Sequence, residues 1–203
     1  MSIDTPEIDY IPEFLTNADS SKLLEFLQTK ISWQQGKIKL FGKVHSEPRL
    51  SSWIGDPEAV YTYAGKQMKP DPWLTEIESL RQFLQFSFPY QWNSVLLNLY
   101  RDGHDYMGFH ADNEPTLGSN PVIASLSLGA KRRFVFKNRL NAAKHELMLE
   151  HGSLLIMSGE TQRDWLHALP KSLRVKTPRI NLTFRKIHFP GFVKTRSRRN
   201  HLK

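Results

Sequence analysis

The chain has no cysteine. That excludes disulfides, thiolate zinc sites, iron–sulfur clusters and cysteine nucleophiles, leaving His, Asp and Glu as the side chains able to hold a metal. It also lacks any apolar run near the roughly 18 residues of a membrane span, and its acidic, proline-bearing start lacks the charged-then-apolar layout of a signal peptide. An intracellular protein with no membrane association is expected, cytoplasmic in a bacterium or nuclear in a eukaryote. Acidic side chains are missing from one region: residues 171–203 hold 11 Lys and Arg and no Asp or Glu, within a chain of net charge +8. Residues 1–170 carry 17 basic against 20 acidic side chains, a net −3. The basicity is therefore a property of the C-terminal part. Joined by Lys131, Arg132, Arg133, Lys137 and Arg139, it would make a salt-sensitive surface for phosphates; the competing reading is an ordinary solvated surface and tail.

What is present is enough for one core. With 203 residues, 39% hydrophobic, five Trp and twelve Phe, a single domain is expected, and a monomer. Residues 1–18 read as extended and peripheral. Asp19 or Ser20 is placed to cap a helix running to Lys30, with Leu23, Leu24, Phe26 and Leu27 inward. Residues 37–64 read as strands and turns, with Lys37–Phe41 broken at Gly42 and Ala59–Tyr63 alternating. Phe41, an apolar tip beside Lys37, Lys39 and Lys43, suits a wedge into a base stack, although a core role is equally open. Asp71-Pro72 predicts the start of a second helix, continued by Trp73, Ile77, Leu80 and Leu84 to about Phe86. Seven short strands follow: 93–101, 122–128, 133–137, 146–150, 154–158, 165–169 and 179–187. Two helices and then strands suggest a mainly β, α+β fold of sandwich or jelly-roll type with helices on one face.

Three features carry chemistry. The stretch 94–112 is a strand, a Gly-bearing turn and then His110-Ala111-Asp112, an imidazole and a carboxylate spaced to share a strand face. His167 adds a second imidazole; two His and one carboxylate leave sites open on non-haem Fe(II), and zinc can use the same set. On the last strand Arg179, Asn181, Thr183 and Arg185 share one face and Ile180, Leu182 and Phe184 the other. That polar face either meets water or lines a barrel, where two arginines would hold a small dicarboxylate.

Taken with Leu40-Phe41-Gly42-Lys43, Tyr61-Thr62-Tyr63, Asn98-Leu99-Tyr100, the stretch from His151-Gly152-Ser153-Leu154 to His167, and Pro178-Arg179-Ile180-Asn181-Leu182-Thr183-Phe184-Arg185, these features closely resemble the AlkB family of Fe(II)/2-oxoglutarate-dependent nucleic-acid dioxygenases. The likeness covers residues 37–188 and is nearest the branch acting on double-stranded DNA. It implies a double-stranded β-helix of cupin type, with His110, Asp112 and His167 on iron. Asn98, Tyr100, Arg179, Asn181, Thr183 and Arg185 would lie around 2-oxoglutarate. The implied activity is DNA repair: N-methyl groups of 1-methyladenine or 3-methylcytosine type are oxidised and lost as formaldehyde, while O₂ and 2-oxoglutarate yield succinate and CO₂. A target in a duplex must be flipped out. Phe41, flanked by Gly42 and Lys43, would fill the gap; Tyr63 and His110 would sandwich the base, with Tyr61, Thr62, Asn113 and Glu114 around it. Asn113 departs from the Asp of close relatives. The resemblance divides the single domain into an N-terminal extension and helix (1–36), a nucleotide-recognition lid (37–70), a helix with the β-helix core (71–190) and a basic tail (191–203). The alternatives are an RNA demethylase of the family, action on single-stranded DNA, and a catalytically silent nucleic-acid-binding jelly roll.

Overall fold

The computed structural model describes residues 5–40, 42–63, 66–141 and 143–188. In chain order the elements are β1 (Ile8–Ile11), α1 (Asn17–Lys30), β2 (Lys37–Leu40), β3 (Lys43–Ser46), β4 (Leu50–Gly55), β5 (Tyr61–Tyr63), β6 (Lys66–Met68) and α2 (Thr75–Ser87). The second half holds β7 (Ser94–Tyr100), β8 (Met107–His110), β9 (Ile123–Gly129), β10 (Arg132–Asn138), β11 (Lys144–Leu149), β12 (Ser153–Met157), α3 (Thr161–Asp164), β13 (Trp165–Leu169) and β14 (Arg179–Arg185). A six-stranded antiparallel sheet runs β1-β12-β9-β14-β7-β4, and a four-stranded one β11-β10-β13-β8. Side chains of β7, β9 and β14 meet those of β8, β10 and β13 across one cavity, so the two sheets enclose it. This is the double-stranded β-helix arrangement, an α+β fold as expected.

The sheets are held in place from outside. Leu27 of α1 and Ile77, Leu80 and Leu84 of α2 pack on Val95, Leu97, Leu126, Ile180, Leu182 and Phe184, the apolar halves of β7, β9 and β14. Each such fully buried side chain contributes about 1.5–3 kcal/mol relative to exposure. A second cluster, Ile123, Phe136, Leu149, Leu155, Met157 and Trp165, fills one end between the sheets. Both clusters follow from alternation: on β14 every second residue faces the helices and the others must face the cavity.

Several boundaries differ from expectation. Thr16, not Asp19 or Ser20, caps α1: its Oγ1 accepts from the Asp19 amide at 3.1 Å and donates to the Asp19 carboxylate at 2.7 Å. Asp71-Pro72 does not start α2. Asp71 is taken by a parallel bridge to Ile54 in β4, its amide donating to the Trp53 carbonyl at 2.8 Å, and the helix begins at Thr75 after an uncapped Leu74. The supposedly peripheral N-terminus supplies β1, paired with β12 along Ile8↔Met157 to Ile11↔Leu154. Leu50–Gly55, inside the span 37–70, is the β4 edge of the large sheet, in register with β7. Among the described residues, no helix is long and apolar enough to cross a membrane.

Candidate active site

β8 and β13 lie side by side with His110 opposite His167, their ring centroids 4.3 Å apart. Asp112 follows two residues later in a loop, and ligand atoms of all three lie within 4.8 Å of one another. The His110 ring uses Nδ1 toward the Gly108 carbonyl at 2.9 Å. With that nitrogen protonated, Nε2 is left as the ligand, the arrangement seen in ordered metal sites. His167 is buried, stacked on Phe134 with centroids 5.4 Å apart, and its Nε2 faces Asp112 Oδ2 at 3.8 Å.

Electrostatics keep His167 and Asp112 in ligand form. Burial, reinforced by His110, pushes the His167 imidazole down to about 3, so it is neutral at physiological pH. Burial alone would raise Asp112, but Arg185, with His167 and His110, outweighs it and holds the carboxyl at about 2. The Arg185 Nη2 to Asp112 Oδ1 contact is 2.6 Å, with both side chains buried. The neutral His167 imidazole, the Nε2 of His110 and one ionised carboxylate, with no thiolate, fit a divalent iron.

The polar face of β14 lines the same cavity, together with Asn98 and Tyr100 of β7. Arg179 is 1% exposed and has no carboxylate partner among the described residues; its Nη2 donates to Ser127 Oγ at 2.8 Å and its Nε has no partner. Burial depresses the guanidinium to about 10, still charged at neutral pH. A buried cation in this state calls for an anion. Asn181 donates to Ser125 Oγ at 2.8 Å and the Leu126 carbonyl at 3.0 Å, and accepts from Thr183 at 3.2 Å. These residues fit a small dicarboxylate such as 2-oxoglutarate.

All nine predicted metal and cosubstrate residues thus line one cavity. The predicted base-facing residues are placed differently. Asn113 is exposed and Glu114 half-buried, next to Asp112 in the chain but not in the cavity wall. Gly42 turns the β2–β3 ribbon at φ +78°, in the left-handed region where glycine is at no disadvantage, and Lys43 is exposed. The β5 backbone of Tyr61, Thr62 and Tyr63 pairs with β6; their side chains, like Phe41 and the basic tail, lie outside the described residues.

Sequence reasoning missed three buried groups. Arg49 donates from Nε to Asn98 Oδ1 at 2.9 Å and pairs with Glu47 at 3.0 Å. Gln162 accepts from the Asp112 amide at 2.9 Å. Arg132, expected on a phosphate-facing surface, is 1% exposed. It donates to the carbonyls of Asp102, Asp105 and Pro170, because strand alternation turns it inward while Arg133 points out. Its neighbours Lys131 and Arg133 are ion-paired to Glu150 and Glu146. Arg132 is therefore not part of the phosphate-facing surface expected, while Lys131, Arg133, Lys137 and Arg139 are exposed.

Known proteins agree with the geometry. The profile of the 2OG-Fe(II) oxygenase superfamily matches residues 7–185. DNA oxidative demethylase ALKBH2 of Mus musculus is 38% identical over 181 residues, covering 84% of this chain and 76% of that protein. This chain belongs to the AlkB family of 2OG-Fe(II) dioxygenases. The bovine ALKBH2 (Bos taurus) is also 38% identical over 181 residues, and alpha-ketoglutarate-dependent dioxygenase alkB homolog 3 of Mus musculus is 37% identical over 187. These matches cover 84% and 87% of this chain, which spans 65% of the length of each of those two relatives. The solved structure of OsALKBH1 superposes with a TM-score of 0.61 at 20% identity, covering 90% of this chain and 99% of that one, which supports the AlkB fold.

Proposed function

We propose that this AlkB-family chain is an Fe(II)- and 2-oxoglutarate-dependent dioxygenase that removes N-methyl groups of 1-methyladenine or 3-methylcytosine type from DNA. The observation that carries the proposal is the convergence of His110, Asp112 and His167 with the buried, anion-seeking Arg179 in one cavity. Iron held by His110, Asp112 and His167 would, with 2-oxoglutarate going to succinate and CO₂, supply the oxidation by O₂ that hydroxylates the methyl group, and the hydroxymethyl product would be lost as formaldehyde.

The chain's own part is orientation. Arg185 fixes one Asp112 oxygen and keeps the carboxyl ionised, so this ligand needs no proton loss at neutral pH. Arg179, Asn98 and Tyr100 would hold the cosubstrate end of the cavity. Phe134 packs on the His167 ring and fixes its plane. Such positioning turns a bimolecular encounter into a directed one.

Double-stranded DNA with base flipping is the preferred substrate in this reading, supported by Phe41 standing before Gly42 among basic residues. Relatives named for DNA and relatives named only as dioxygenases are equally similar, so single-stranded DNA and RNA are tested beside it. The test is release of succinate and formaldehyde from matched methylated duplex DNA, single-stranded DNA and RNA, with His110→Ala as control. Turnover fastest on duplex DNA and absent in the control is expected; no turnover on any of the three would refute the assignment.

A further inference from the structure

Asp112 must hold a metal from a position that no strand secures. β8 ends at His110 and the next turn begins at Pro115, so the Asp112 backbone has no ladder to occupy its buried amide. A buried N–H without an acceptor is costly, and here the acceptor is the side chain of Gln162 at 2.9 Å, 50 residues away. Gln162 is 1% exposed and stands on α3, the four-residue helix that leads directly into β13 and His167. Its Nε2 donates to the Met157 sulfur at 3.6 Å, which fixes the amide's orientation with its oxygen toward Asp112.

Gln162 is itself braced from behind. The adjacent Thr161 is buried; its Oγ1 accepts from the Glu7 amide at 2.9 Å and donates to the Glu7 carbonyl at 3.0 Å. The Glu7 carbonyl also accepts from the Ser158 amide at 3.0 Å. The segment leading into β1 therefore holds α3, α3 holds Gln162, and Gln162 holds the Asp112 loop.

We propose that Gln162 is a positioning residue that locks the carboxylate ligand to the His167-bearing segment, so that the metal site is pre-assembled before metal arrives. This rests on the metal-centre reading of the triad. A lock of this kind raises metal affinity because a loose Asp112 loop would have to be ordered by the metal itself.

The test uses the full chain, stripped of metal and titrated with Co(II), whose visible bands report binding without turnover. Gln162→Met, close in volume but without the acceptor, should bind cobalt about 10–100-fold more weakly. Gln162→Glu, which keeps an oxygen at the same reach, should stay nearer the parent than Gln162→Met. In the metal-free parent the Asp112 amide should exchange slowly with deuterium, and in Gln162→Met quickly. If Gln162→Met fails to fold, Gln162→Asn, one methylene too short to reach, takes its place with the same expectation. Parent-like cobalt affinity and a protected Asp112 amide in the Met or Asn variant would overturn the lock while leaving the metal centre intact. If the parent bound no cobalt, or if His110→Ala bound it equally well, the metal centre itself would fall and the lock with it.

Discussion

Strands β14 and β3 both set basic and polar residues in alternation, yet all seven residues of β14 are buried and all four of β3 are exposed. The difference lies in their neighbours. β14 sits between β9 and β7 in the large sheet, with the second sheet across the cavity, whereas β3, among the described residues, pairs with β2 alone. Polar side chains on a solvated ribbon satisfy themselves with water; those on β14 must find protein partners or a ligand. Arg185 finds Asp112, Asn181 finds Ser125, and Arg179 remains a buried cation without a carboxylate among the described residues. Burial, more than charge pattern, separates a site from a surface here.

The largest effect that could break this contrast is expected at Arg185. Arg185→Met leaves a buried Asp112 carboxylate without its guanidinium and should cost the metal-free protein about 3–5 kcal/mol in chemical denaturation. Lys43→Met on the exposed ribbon should stay within about 0.5 kcal/mol. Equal losses would mean that the buried pair is no more demanding than a surface charge. Next comes ligand loading: Mn(II) with 2-oxoglutarate at about 100 times its Kd should stabilise the fold by about 2.7 kcal/mol. Amide exchange should slow along β14 and β7 while β2 and β3 stay unchanged; uniform protection would erase the distinction between the two regions. Arg179→Met should raise the KM for 2-oxoglutarate about 10–100-fold, the loss of charged hydrogen bonds worth about 1.5–3 kcal/mol. An unchanged KM would remove Arg179 from the cosubstrate.

The same contrast explains what could be read in advance. The His110–Asp112 pair and the two-arginine face were legible because each depends on local spacing, two residues in the one and a period of two along β14 in the other, whereas His167, far along the chain, was added only as the second imidazole that an Fe(II) set needs. Whether that face met water or a cavity was not legible, since it depends on which strands flank β14. Arg49, Arg132 and Gln162 were hidden for a related reason. Their partners, Asn98, Asp102 and Asp112, lie 49, 30 and 50 residues away in sequence. Asp71-Pro72 misled because the same residue type that caps a helix was used by β4 as a bridge. Thr16 was overlooked because its cap partner, Asp19, was itself a good cap.

The ribbon carries the smallest expected effects, and they decide whether its exposure has a use. If β2 and β3 approach a duplex, Phe41→Ala should slow turnover on duplex DNA more than on single strands, because only a duplex has a stack to fill. Equal slowing on both would assign Phe41 to general support. Lys43 offers the finer measurement. It is exposed beside the Gly42 turn, and no ion pair to it is found among the described residues. If it neutralises one phosphate, Lys43→Ala should reduce the slope of log affinity against log salt by about 0.9 and weaken duplex binding evenly across sequences. Turnover of a bound, already flipped base should be untouched, since Lys43 is not in the cavity wall. An unchanged slope would show that the ribbon's basic face, unlike the buried face of β14, is simply solvated.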